Sequence, residues 1–203
     1  MDEIQKHIEF CISKANDMAD FHSTLAKEPL RFPRSVDDFQ KLCEKKTSLK
    51  ISVETVGIPV CGPGISTTVR AAFLKEKDGY KISMKPEPNI CWRRFIQCKE
   101  LFHVVLDQSQ YCTMQIFQHI QRWVVQIPGR TSLPTPATIS ELMAEISAME
   151  YLFPYIERVS KRKTLMTKDD YLEVAKIYKV PSVLVESYLS ELSMEYLGEI
   201  SRR

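Results

Sequence analysis

The segment Lys99-Glu100-Leu101-Phe102-His103 carries the side chains in this chain best spaced for chemistry. In the pattern H-E-x-x-H, two imidazoles at i and i+4 share one helical face and bind Zn²⁺, and the glutamate beside the first polarises a water. Glu100 and His103 hold their places in that pattern, while Lys99 stands where the first imidazole belongs. A lysine, with a reference pKa of ~10.4, is protonated at neutral pH and has no lone pair to offer a cation. The segment has the frame of a zinc-hydrolase helix and a chemical defect at one ligand. His119 and Cys98 are the side chains a variant ligand set could draw on, although Cys98, five residues before His103, matches one helical face poorly. A plain structural reading stands beside this one: His103 as a buried histidine bonded to a carboxylate, and Glu100 as a helix-face charge paired with Arg93 or Lys99.

The elements that must position these residues follow from periodicity. Asn89 is placed to cap a helix over 90–106, with Phe95, Phe102 and Val105 apolar and Lys99 and His103 one turn apart. Upstream, Leu49, Ile51, Val53 and Thr55 alternate as in a half-buried strand, and Val69, Ala71 and Phe73 alternate again. Lys77-Asp78-Gly79 then predicts a hairpin turn into Tyr80, Ile82 and Met84. The 57–64 stretch, with Pro59 and Pro63, reads as a loop. Apolar residues at helical spacing from Ile4 to Ala19 predict a first helix over roughly 3–26, and Ser35 with Asp37 and Asp38 marks the start of a second.

Downstream, helices are expected from Ser109 to Val125 and over 138–153, the latter on Ile139, Leu142, Met143, Ile146 and Met149 and stopped by Pro154. Between them lies a Pro/Gly loop. Two further helical segments, starting at Thr167 and capped at Ser182, form a terminal hairpin. The basic run Arg158 to Lys163 reads as a solvated helix end or linker. His7 and His22 read as surface residues, and Trp92 and Trp123 as core or interface anchors. The resulting fold class is α+β: a small three-stranded, mostly antiparallel sheet on a helical bundle. The expected division is N-terminal helices at 1–47, a core at 48–160 with its sheet at 49–85, and a C-terminal helical hairpin at 161–203.

Composition narrows the function classes. The chain has 203 residues, 44% of them hydrophobic, enough for one substantial core. With 28 basic and 26 acidic side chains the formal charge is +2, which gives no electrostatic case for a dedicated nucleic-acid or membrane binder. The residues Met1 to Lys6 lack the basic and apolar regions of a signal peptide, and no apolar run reaches membrane-spanning length. A cytoplasmic location is expected, with the six cysteines reduced. The stretch Val174 to Ser182 has the look of a helix-turn-helix turn, but Glu186, Ser187 and Glu191 follow it rather than basic residues, which argues against major-groove reading.

The order of helices, small sheet and then Arg94-Phe95-Ile96-Gln97-Cys98-Lys99-Glu100-Leu101-Phe102-His103 resembles the ImmA/IrrE family of zincin-like metallopeptidases. Glu141-Leu142-Met143-Ala144-Glu145 through Leu152-Phe153-Pro154 is similar to the family's later signature, and Val174 to Ser182 to its tail. The resemblance implies a zincin-like fold with Glu100 as general base and His103 as a metal ligand. A carboxylate on the later helix, Glu141 or Glu145, would be the third ligand, and the metal site is impaired because Lys99 replaces the first histidine.

It further implies a protein-binding or transcription-regulatory module, of the kind found in phage or mobile elements, with a helix-turn-helix regulator or an antitoxin as partner. On this reading no cofactor is expected, and the enzyme is an inactive relative. The alternative is an active endopeptidase that holds zinc with a variant ligand set and cleaves such a partner. A third reading, direct DNA binding through the terminal helices, is disfavoured by the charge.

Overall fold

Local sequence signals set where most elements begin. The computed structural model describes residues 3–27, 31–56, 71–87, 89–107, 136–163 and 166–201. Helix α1 (Glu3–Ala26) buries the stripe Ile8, Cys11, Ile12, Ala15, Met18 and Ala19 that its periodicity predicts. Helix α2 (Val36–Thr47) starts where the Ser35 hydroxyl accepts from the Asp38 N–H at 3.2 Å. Asp37 and Asp38 lie in its first turn and Lys45 and Lys46 in its last, matching the helix dipole at both ends.

Strands β1 (Lys50–Thr55), β2 (Ala71–Glu76) and β3 (Gly79–Met84) form one sheet in the order β1-β3-β2. The β2–β3 hairpin turns at Lys77-Asp78 as expected, with Glu76 opposite Gly79 and Phe73 opposite Ile82. Strand β1 runs parallel to β3, with Ile51 opposite Tyr80 and Val53 opposite Ile82, so the sheet is mixed where a mostly antiparallel one was expected. The reason is tertiary: β1 is docked by helix α2 rather than by a hairpin. Gln40 Nε2 donates to the Ile51 carbonyl and the Ile51 N–H donates to Glu44 Oε1, each at 2.8 Å. These side chains fill strand-pairing positions on the outer edge of β1. Gly79 is required at the seam, because a Cβ there would stand 2.1 Å from the Lys50 carbonyl oxygen.

Helix α3 (Ile90–Asp107) is capped by Asn89, whose Oδ1 accepts from the Cys91 and Trp92 N–H groups at 2.9 and 3.3 Å. Helix α4 (Pro136–Leu152) packs between α1 and α3 and is apolar over most of its circumference, as a helix covered on two sides must be. Phe39, Phe102 and Tyr151 join α2, α3 and α4, with ring centroids 4.9 Å apart for Phe39–Phe102 and 4.2 Å for Phe39–Tyr151. That aromatic contact sets the register in which α3 meets α4.

Pro154 ends α4 and opens α5 (Tyr155–Lys161). Arg158 on α5 is buried and pairs with the buried Glu150, correcting the reading of the whole basic run as solvated. Its guanidinium also lies 5.3 Å from the Tyr188 ring centroid, and Glu150 Oε1 accepts from the Tyr155 N–H at 2.9 Å. A buried, multiply bonded carboxylate selects an arginine that sequence position alone would leave in water.

The C-terminal part is three helices rather than a hairpin of two: α6 (Lys168–Tyr178), α7 (Ser182–Leu189) and α8 (Glu191–Ser201). Thr167 and Asp170 make a reciprocal capping box at the start of α6. Ser182 is the first residue of α7 and not its cap; Pro181 holds that position, without a side-chain hydrogen bond. The extra break falls at Ser190, whose Oγ accepts from the Ser193 N–H at 3.4 Å and donates to the Ser187 carbonyl at 2.7 Å, drawing the chain out of the helical path. No helix among the described residues is long and apolar enough to cross a membrane. The expected loop at 57–64, the helix from Ser109 to Val125, and His119 and Trp123 lie outside the described residues, as does the His7 side chain.

Candidate functional site

Helical spacing brings Lys99, Glu100 and His103 to the same side of α3, and the α3–α4 packing places Ser140 and Glu141 against them. Lys99 Nζ lies 3.2 Å from Glu100 Oε1 and also bonds Glu141 Oε2. Glu141 Oε1 is 3.1 Å from His103 Nε2, an ion-pair distance when the imidazole is protonated. On the other side of the ring, the Ser140 hydroxyl is 3.2 Å from His103 Nδ1. Glu100 and His103 are buried, at 2% and 3% exposure, while the Glu141 side chain is 54% exposed and closes the cluster toward solvent.

Electrostatics bind these groups to one another. Burial alone would pull the Lys99 ammonium down, but Glu100 and then Glu141 outweigh it, and the group sits above its ordinary value. It therefore stays a cation and has no free pair with which to act as base or nucleophile. Glu141 is held down to about 2, first by the adjacent His103 and then by Lys99, against the opposing effect of its partial burial.

Of the two candidate carboxylates on the later helix, Glu141 is the one that meets Lys99 and His103. Glu145, one turn on, is half-buried, and its charge adds to burial in pushing the Tyr188 phenol well up. Cys98 is fully buried, and its thiol is pushed well up by that burial and by Cys43. Its surroundings are thus those of a core residue. His22, expected at the surface, is half-buried, with its Nδ1 2.7 Å from the Tyr151 hydroxyl. Trp92 is an anchor as expected, edge-on to Phe95 with centroids 6.0 Å apart. Ser140 was missed, and no spacing rule would have found it, because its only link to His103 is the contact between two helices.

The donor set can be tested against zinc. Among the described residues no group of three or more His, Cys, Asp or Glu side chains is placed to hold a metal ion. The cluster offers His103 and Glu141, and Glu141 is already engaged by an ammonium. A zinc centre takes at least three protein ligands and repels a cation within its first coordination sphere. These residues do not fit the ion. What the arrangement does chemically is to bridge two carboxylates with one fixed cation, offsetting one of their two charges, and to orient an imidazole between a hydroxyl and a carboxylate. No protein-family model matches the chain, and no curated protein matches it in sequence.

Proposed function

We propose that this chain is a zincin-like protein of ImmA/IrrE type in which a lysine ammonium has taken the place of the metal, and that it works by binding a protein partner rather than by cutting one. The observation that carries this reading is Lys99 Nζ held between Glu100 and Glu141, with Glu141 also reaching His103. These are the residues that the resemblance casts as base and ligands, gathered around a cation that cannot lower the pKa of a water as a Lewis acid does. Glu100 is engaged with the ammonium, which removes the freedom a general base needs.

The sheet supports the binding part of the reading. Its β1 edge is engaged by Gln40 and Glu44, while among the described residues β2 forms the opposite edge and presents Leu74 at 62% exposure. An extended segment of a helix-turn-helix regulator or an antitoxin would add to β2 by main-chain pairing.

The deciding experiment is metal content, by plasma mass spectrometry, of protein purified without chelators, alongside Lys99→His. The parent is expected to carry no stoichiometric metal. The variant, with a second imidazole one turn from His103 and with Glu141 released, is expected to bind about one zinc per chain. Stoichiometric metal in the parent would overturn the proposal and return attention to peptidase activity, for which Glu100→Gln is the control.

A further inference from the structure

A second polar site lies at the N-terminal half of α3. A cavity of about 350 Å³ is lined by Asp37 at the start of α2, by Arg93, Arg94 and Gln97 on α3, and by Lys179 at the end of α6. Three cations thus converge from two elements far apart in sequence, against the single carboxylate of Asp37.

Two observations indicate that an anion belongs there. The first is the charge of α3 itself. A helix start favours acidic side chains, and α2 follows the rule with Asp37 and Asp38. Helix α3 has no acid in its first turn and instead carries arginines at its fourth and fifth residues, whose side chains lean back toward the helix start. Positive side chains and the positive end of the dipole are stacked on each other, an arrangement that a bound anion relieves.

The second is Arg94. Its Nη2 donates to the Arg34 carbonyl at 2.5 Å, which fixes the guanidinium beside the cavity. Asp37 offsets part of this charge, and Gln97 Nε2 donates to its Oδ1 at 3.5 Å.

We infer that this cavity binds a phosphate monoester. Three cations and one carboxylate leave two positive charges, the complement of a group carrying about −1.5 to −2 at neutral pH. A carboxylate ligand would leave one charge unmatched. Guanidinium forks suit phosphate oxygens, and the volume leaves room for the carbon chain that bears the phosphoryl group. The ester could sit on a small molecule or on a phosphorylated side chain of a protein.

The test uses the full chain in a zwitterionic buffer at neutral pH, with inorganic phosphate as the first probe and sodium chloride at matched ionic strength as control. Saturable amide shifts of residues 35–37, 90–97 and 179, together with a phosphate-dependent rise in melting temperature that chloride does not reproduce, are expected. Arg93→Ala and Lys179→Ala remove exposed side chains and should melt like the parent without phosphate, yet each should weaken phosphate binding about tenfold. Glycerol phosphate and a phosphoserine peptide then identify the source: tighter binding of the first points to a small-molecule ester, and of the second to a phosphoprotein. No saturable response beyond that of chloride, or undiminished binding in the Arg93→Ala/Lys179→Ala double variant, would overturn the inference. Neither result bears on the metal content of the Lys99 cluster.

Discussion

Replacing Lys99 with methionine asks directly whether the ammonium holds the cluster together. The side chain keeps its length and loses its charge. Its Nζ is 3.2 Å from Glu100 Oε1, and Glu100 is almost wholly buried. Two unit charges at that separation attract by about 5 kcal/mol at an effective dielectric of ~20, before the desolvation of the lysine is subtracted. Removing one partner of a buried pair typically costs about 3–5 kcal/mol, because the other charge is left in a poor solvent. The contact with Glu141 adds at most about 1 kcal/mol, since that carboxylate is half exposed and screened.

The expected loss is therefore about 3 kcal/mol, read as a fall of about 6–12 °C in melting temperature for a chain of this size. Urea unfolding followed by far-ultraviolet circular dichroism at pH 7 measures it. The double variant Lys99→Met/Glu100→Gln should recover at least half of the loss by removing the stranded carboxylate. The difference between parent and single variant should change little between 0.1 and 1 M salt, because the Glu100 pair is shielded from solvent ions. A loss below about 1 kcal/mol, with the double variant no more stable than the single, would refute the claim that Lys99 neutralises Glu100.

Two further outcomes follow from the same structure. Glu141 is held down to about 2 from 4.5, so its contribution to stability is fully present above the unfolded value near 4.5 and is lost as pH falls toward 2. After screening this is worth about 1 kcal/mol, and Glu141→Gln should flatten that part of the acid limb in urea titrations run at several values between pH 5 and 2.5. Arg158→Met strands Glu150 in the core beside the Tyr155 N–H and should cost about 3–5 kcal/mol in urea unfolding. Adding Glu150→Gln should restore part of this, and a single variant as stable as the parent would show that the pair contributes nothing.

Several features of this protein were legible in the chain because they depend on residues within one helical turn. Ser35, Asn89 and Thr167 cap helices because each bonds an N–H two or three residues ahead. The β2–β3 hairpin is closed by its own turn, and Lys99, Glu100 and His103 share a face because a helix repeats every ~3.6 residues.

What local pattern could not supply is everything joined across the core. The parallel seating of β1 depends on Gln40 and Glu44 reaching its edge and on the bare Cα of Gly79. The burial of Arg158 depends on where Pro154 turns the chain. The choice of Glu141 as the carboxylate that meets Lys99, 42 residues away, depends on the register of α3 against α4. That register is decided by how Phe39, Phe102 and Tyr151 fit together. Periodicity placed Glu141 and Glu145 on one helical face and stopped there, because which turn of a helix faces a given side chain is a property of packing between elements and is written in no single one of them.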